Sequence, residues 1–116
     1  MRFLILEKAT ARSEAGGLPP EPPRAAFHEA LARAGVLLDA QCLRPSREGW
    51  RIDYGDGPPR RVDGPFPDAG ELLAGYALID VPSVEAALEW SRRFPSGVAG
   101  QIEVRRVDEP DNLPTR

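Results

Sequence analysis

The chain has 116 residues, with 15 basic against 18 acidic side chains, a net charge of −3 and a pI near 5.2. It is therefore one domain, able to bury about two-thirds of the surface its unfolded form exposes, and it lacks the basic footprint with which proteins hold nucleic acid through its phosphates. One cysteine, Cys42, and one histidine, His28, leave no intrachain disulfide and no Cys-Cys zinc pair, so neither a metal nor a cofactor is expected.

The first apolar run, Phe3-Leu4-Ile5-Leu6, is cut by Glu7 and Lys8. It is too short for a signal sequence or a membrane span, so a cytoplasmic protein without a membrane partner is expected. As a strand it places Phe3 and Ile5 on one face and Leu4 and Leu6 on the other, and both faces need cover. Residues 9–23 lose periodicity and collect Gly16, Gly17, Pro19, Pro20, Pro22 and Pro23. They read as a loop with no helix or strand of its own, either a binding loop or a surface excursion. A helix is expected from Pro23 or Arg24, with Phe27, Ala30, Leu31 and Ala34 at the spacing of a buried stripe and Gly35 as its stop.

The next strand, Val36 to Leu43, puts Leu38, Ala40 and Cys42 on one face and Leu37, Asp39, Gln41 and Leu43 on the other. Arg44-Pro45-Ser46 ends it. Trp50, Ile52 and Tyr54 then alternate with Arg51 and Asp53, and the chain turns through Gly55-Asp56-Gly57-Pro58-Pro59 into a returning arm, Arg60 to Val62. That turn is not a nucleotide loop, since no helix follows it to supply amides to a phosphate. Leu72 to Val81 is the most apolar strand, broken on one face by Asp80. Pro82 stops it, Ser83 caps a helix with Glu85 in its first turn, and Val84, Ala87, Leu88, Ser91 and Phe94 form the expected inward stripe. Ile102 and Val104 alternate with Glu103 and Arg105 in a last strand. The domain thus runs over 1–107, with a frayed tail at 108–116.

This order is strand, helix, strand, hairpin, strand, helix, strand. It predicts an α+β fold, a ferredoxin-like split βαβ sheet with an inserted hairpin, with both helices on one sheet face. The other face is apolar too, so a second copy of the chain is the expected cover and a homodimer the expected state.

The segments Val62-Asp63-Gly64-Pro65-Phe66, Leu73-Ala74-Gly75-Tyr76, Ala86-Ala87-Leu88-Glu89-Trp90 and Ile102-Glu103-Val104-Arg105, with Glu71, Ala34-Gly35-Val36-Leu37-Leu38 and Leu43-Arg44-Pro45, resemble the DGPF-domain proteins of the YCII-related group. The resemblance implies a dimeric α+β barrel. It also implies either small enzymes with a His–Asp acid/base pair or accessories to extracytoplasmic-function sigma factors. Two departures stand out. The family's Thr-Lys pair after the motif is replaced in Pro67-Asp68-Ala69-Gly70-Glu71, and His28 lies about one helical turn later than the histidine of the implied pair.

The candidate chemistry is limited. Asp63 beside Pro65 and Phe66 is open to two roles, a general acid or base at an apolar pocket mouth, or a turn residue that binds its own backbone amides. His28, at the border of the helix stripe, is the only neutral-pH titrating side chain and would be its partner in any pair. Phe66 reads as a plug, Tyr76 as core or pocket lining, and Glu71 with Arg44 as an ion pair at the pocket rim; these four are the ligand-binding candidates. Cys42 reads as inert. Three outcomes follow: a small-molecule cleft near the Asp63 loop with acid/base chemistry, a regulatory accessory whose partner is a sigma factor, or a site that has decayed.

Overall fold

A computed structural model of the chain describes residues 1–16, 22–68 and 71–109. Among the described residues six strands and three helices follow in chain order: β1 (Arg2–Lys8), α1 (Ala11–Gly16), α2 (Pro22–Arg33), β2 (Leu37–Cys42), β3 (Trp50–Asp53), β4 (Arg60–Asp63), β5 (Leu73–Asp80), α3 (Val84–Arg92) and β6 (Ile102–Arg106), with a 3-10 turn at Ser46–Glu48. The fold is mixed α+β. Its main sheet has the order β2-β5-β1-β6, antiparallel throughout, and β3 and β4 pair separately as a two-stranded hairpin.

The parity of β1 and β5 decides where the core lies. Phe3 and Ile5 face Ile79 and Ala77 across the register, and these four sit beneath Phe27 and Leu31 of α2 and Ala87 of α3. Both helices therefore cover one side of the sheet. Each of the larger apolar side chains buried here, such as Ile5, Phe27, Leu31 and Ile79, contributes about 1.5–3 kcal/mol through its removal from water. The opposite side carries Leu4, Leu6, Tyr76 and Leu78, all half-exposed, and no element of the described residues forms a layer over it.

Ser83 caps α3 as its sequence suggests, accepting a hydrogen bond from the Ala86 amide at 3.0 Å. The inward face of that helix is rotated from the expected one. Ala86, Ala87, Trp90 and Phe94 pack on the core, while Val84 and Leu88 are 52% and 48% exposed. Two adjacent alanines let the helix approach the sheet, and Trp90 and Phe94 bring more area than Val84 and Leu88 would.

Two further expectations are corrected. Within 9–23 the chain forms α1, opened by a reciprocal cap in which the Ser13 amide donates to the Thr10 hydroxyl at 3.1 Å and the Thr10 amide donates to the Ser13 hydroxyl at 2.8 Å. The proline-rich remainder at 17–21 lies outside the described residues, and so do 110–116 of the expected tail. In β2 the strict alternation fails because a bulge between Leu37 and Asp39 shifts the register. Leu37 and Ala40 both turn to the core, and Leu38, expected to share a face with Ala40, is left exposed.

Candidate functional site

The same parity that buries Phe3 and Ile5 buries the next residue on that face, Glu7, at 4% exposure. Its β5 partner is Gly75, where a Cβ would stand 2.9 Å from the Gln41 carbonyl oxygen and 3.6 Å from the Glu7 carboxylate. A side chain there would crowd the space the carboxylate uses. On α2 the Phe27–Leu31 stripe continues one turn back to Arg24, which is 2% exposed. The Arg24 guanidinium donates from Nε to Glu7 Oε1 at 3.0 Å and from Nη2 to Glu7 Oε2 at 2.5 Å. Such a two-point fork suits arginine, whose planar geometry matches both carboxylate oxygens.

One turn further along α2, His28 is half-buried beside this pair. Its pKa is lowered from the usual value, first by burial, which penalises the imidazolium, and then by the Arg24 cation; the Glu7 carboxylate opposes both. His28 is thus held neutral at pH 7, able to accept a proton. It lines a shallow cleft, open to solvent, whose enclosed part has room for about one water molecule. The apolar wall is Ile5, Phe27, Ala77 and Phe94; Glu7, Gln41, Cys42 and Tyr76 complete the lining. Phe27 and Phe94 meet edge to face, with ring centroids 5.4 Å apart.

On the β2 side the strand at Tyr76 borders the cleft, while the Tyr76 side chain points to the open face of the sheet beside Leu6 and Gln41. Its hydroxyl donates to Asp39 Oδ2 at 2.7 Å, and Gln41 Nε2 donates to the other oxygen at 3.3 Å. The hydrogen bond from Tyr76 lowers the Asp39 pKa and, reciprocally, raises that of the tyrosine. Among the described residues no three His, Cys, Asp or Glu side chains are grouped to hold a metal ion.

Of the six residues singled out by sequence, His28 and Tyr76 line the cleft. Asp63 ends β4 on the hairpin, is exposed and pairs with Arg61 Nε at 2.7 Å. Arg44 does not meet Glu71; it forks onto Glu48 at 3.1 and 2.8 Å, one helical turn away, while the Glu71 amide donates to the Asp68 carbonyl. Phe66 lies under the Arg51 guanidinium, 3.8 Å from its ring centroid, and its amide donates to the Ser46 hydroxyl. Around this loop the Ser46 amide and hydroxyl both donate to the Glu14 carboxylate, and the Gly64 amide donates to the Gly49 carbonyl. A Cβ at Gly64 would stand 1.9 Å from the Ser46 carbonyl oxygen, so only glycine fits that contact.

Sequence reasoning missed Glu7 and Arg24. The signal was present: a carboxylate at the parity of Phe3 and Ile5, and an arginine three residues before Phe27 on the same helical face.

The family model of the YCII-related domain matches residues 1–110. The chain belongs to the YCII-related family. An uncharacterised protein of Rhizobium meliloti (strain 1021) is 30% identical to this YCII-related chain over 94 residues, 78% of this chain and 76% of its own length. Among solved structures, a 5-chloro-2-hydroxyhydroquinone dehydrochlorinase from Burkholderia phenoliruptrix AC1100, in complex with 2,5-dihydroxybenzoquinone, aligns over 97% of this chain and 98% of its own, at 13% identity and a TM-score of 0.47. Likeness at that level assigns no activity. No helix of the described residues is long and apolar enough to cross a membrane.

Proposed function

We propose that this YCII-related chain is a homodimer in which each subunit binds a small, partly apolar molecule in the cleft beside His28 and carries out acid/base chemistry there. One observation supports the reading most: a half-buried imidazole, kept neutral by burial and by Arg24, opens onto a cleft floored by a desolvated ion pair. A neutral histidine next to bound ligand is the group best suited to take up a proton near pH 7. The enclosed part of the cleft holds about one water molecule, so a ligand would lie across its open mouth, against the apolar wall. The apolar wall would hold its face and His28 its polar edge. Within one chain Asp63 lies outside this lining, so a pairing of His28 with Asp63 would need the loop of a second copy.

The strand order β2-β5-β1-β6 under two helices is read as the ferredoxin-like split unit, and the apolar open face as the surface on which two copies close a barrel. No feature of the cleft speaks for a sigma-factor partner.

A thermal-shift screen of small aromatic and carboxylic compounds tests the ligand reading, with the wild type beside His28→Asn and Asp63→Asn. A ligand at about 100 times its Kd adds roughly 2.7 kcal/mol of stability. Loss of the response in folded His28→Asn supports the cleft; an undiminished response places the ligand elsewhere and sinks the reading. Loss in Asp63→Asn alone would move the site to the hairpin loop.

A further inference from the structure

Among the described residues the hairpin β3–β4 pairs within itself and joins no other strand. Its root is fixed: the Gly64 amide is held by Gly49, the Phe66 amide by Ser46, and Arg51 packs over Phe66. Beyond that root one face exposes apolar side chains beside the Arg61–Asp63 pair, with the Arg61 guanidinium 4.7 Å from the Trp50 ring centroid. Trp50 and Ile52 share it and Tyr54 follows at the same parity, and they are 57%, 41% and 76% exposed. An isolated two-stranded hairpin is marginal in water unless its apolar face packs on something.

We propose that this hairpin is an arm that lies on a second copy of the chain, with Trp50 and Ile52 as its anchors; the proposal rests on the dimer reading above. Three observations fix the occupant. First, the arm's charges cancel. Arg51, Arg60 and Arg61 stand against Asp53, Asp56 and Asp63, and two of the pairs, Arg60–Asp53 and Arg61–Asp63, are closed within the arm. That leaves no field for nucleic acid or an anionic membrane surface. Second, the open face of the main sheet has matching chemistry, with Leu4, Leu6 and Leu78 at its centre and Lys8, Glu103 and Arg105 paired along the β6 side. Third, the area suffices. Covering the exposed parts of Trp50, Ile52 and Tyr54 removes roughly 350 Å² per arm. In a two-fold pair each copy gives one arm and receives the other, so roughly 1,400 Å² disappears in all, which is the size of a standard stable interface.

The test uses the full chain with Trp90→Phe, which leaves Trp50 as the only tryptophan. Sedimentation and Trp50 emission are recorded together over a dilution series, and Trp50→Phe serves as the complementary single-tryptophan variant should the first fold poorly. The expected result is a blue shift of Trp50 emission that tracks dimer formation, and a dimer weakened about tenfold or more by Ile52→Ser or Trp50→Ser with an unchanged far-UV spectrum. A dimer whose Trp50 emission stays that of a water-exposed indole overturns the arm while the dimer stands. A monomer at every concentration overturns both. Blue emission already present in dilute monomer means the arm packs on its own chain, which also refutes the proposal.

Discussion

Replacing Arg24 with methionine is the most informative single perturbation, because it removes the cation from a pair whose side chains are 2% and 6% exposed. Methionine keeps the apolar stem of the arginine and leaves the Glu7 carboxylate buried without its fork. Breaking a buried pair by removing one partner costs about 3–5 kcal/mol. A domain of this size has roughly 5–15 kcal/mol of stability in total. We therefore expect urea melts, followed by far-UV circular dichroism at one protein concentration, to lose about 3–5 kcal/mol in Arg24→Met. Glu7→Gln should lose a comparable amount, and the double variant less than the sum of the two by about 1–3 kcal/mol. The same variants carry a second readout at His28. Arg24 lowers the His28 pKa and Glu7 raises it, so the imidazole should titrate higher in Arg24→Met and lower in Glu7→Gln, as followed by NMR. A loss below about 1 kcal/mol in Arg24→Met, or His28 shifts of the same sign in both variants, would refute the assignment of this pair as the electrostatic floor of the cleft.

Because the folded state lowers the His28 pKa, the unfolded chain binds more protons as pH drops below the ordinary histidine value. The stability from neutral His28 is complete above about pH 6.5 and is lost as pH falls toward the folded-state pKa; denaturant melts from pH 7.5 downward should show this limb, and His28→Asn should flatten it. Gly64→Ala should lower the melting temperature sharply, since its methyl would meet the Ser46 carbonyl oxygen at 1.9 Å, whereas Gly57→Ala, with nothing within 4 Å, should leave it nearly unchanged; equal effects would remove the steric account of Gly64. Ser46→Ala takes away the hydroxyl that donates to Glu14 and accepts from the Phe66 amide, and should cost about 1–3 kcal/mol in the same melts.

The elements that rest on strong periodicity were legible in the sequence. The doubly apolar β1 and β5, the Ser83 cap and the Phe27–Leu31 stripe all stand where residue spacing puts them. The failures have local causes. Proline and glycine between 16 and 23 masked α1, whose six residues are too few to show a period but which Thr10 and Ser13 close with a reciprocal cap. A single bulge at Leu37–Asp39 reversed the faces of β2, and alternation alone cannot announce an inserted residue. On α3, Val84 and Leu88 are as apolar as Ala86 and Trp90, so composition does not choose between two stripes separated by part of a turn. The site was obscured differently. Charged residues are read as surface by default, and Glu7 and Arg24 reveal themselves only when β1 parity and α2 phase are taken together.

The loop most conspicuous in the sequence, Asp63-Gly64-Pro65-Phe66, and the residues with the strongest electrostatic coupling are separate parts of the molecule. The loop's contacts are backbone to backbone, backbone to Ser46 and ring to Arg51, with Asp63 facing solvent and satisfied by Arg61. Those contacts fix the angle at which β3–β4 leaves the body. The cleft depends instead on β1, α2 and β5, where Gly75 leaves space, Glu7 and Arg24 fill it with opposite charges and His28 is kept neutral above them. Changes in the loop should therefore act on the arm and on association, and changes in the β1–α2 pair on proton uptake in the cleft. A variant such as Gly64→Ala that weakened the dimer yet left the His28 titration unmoved would separate the two directly.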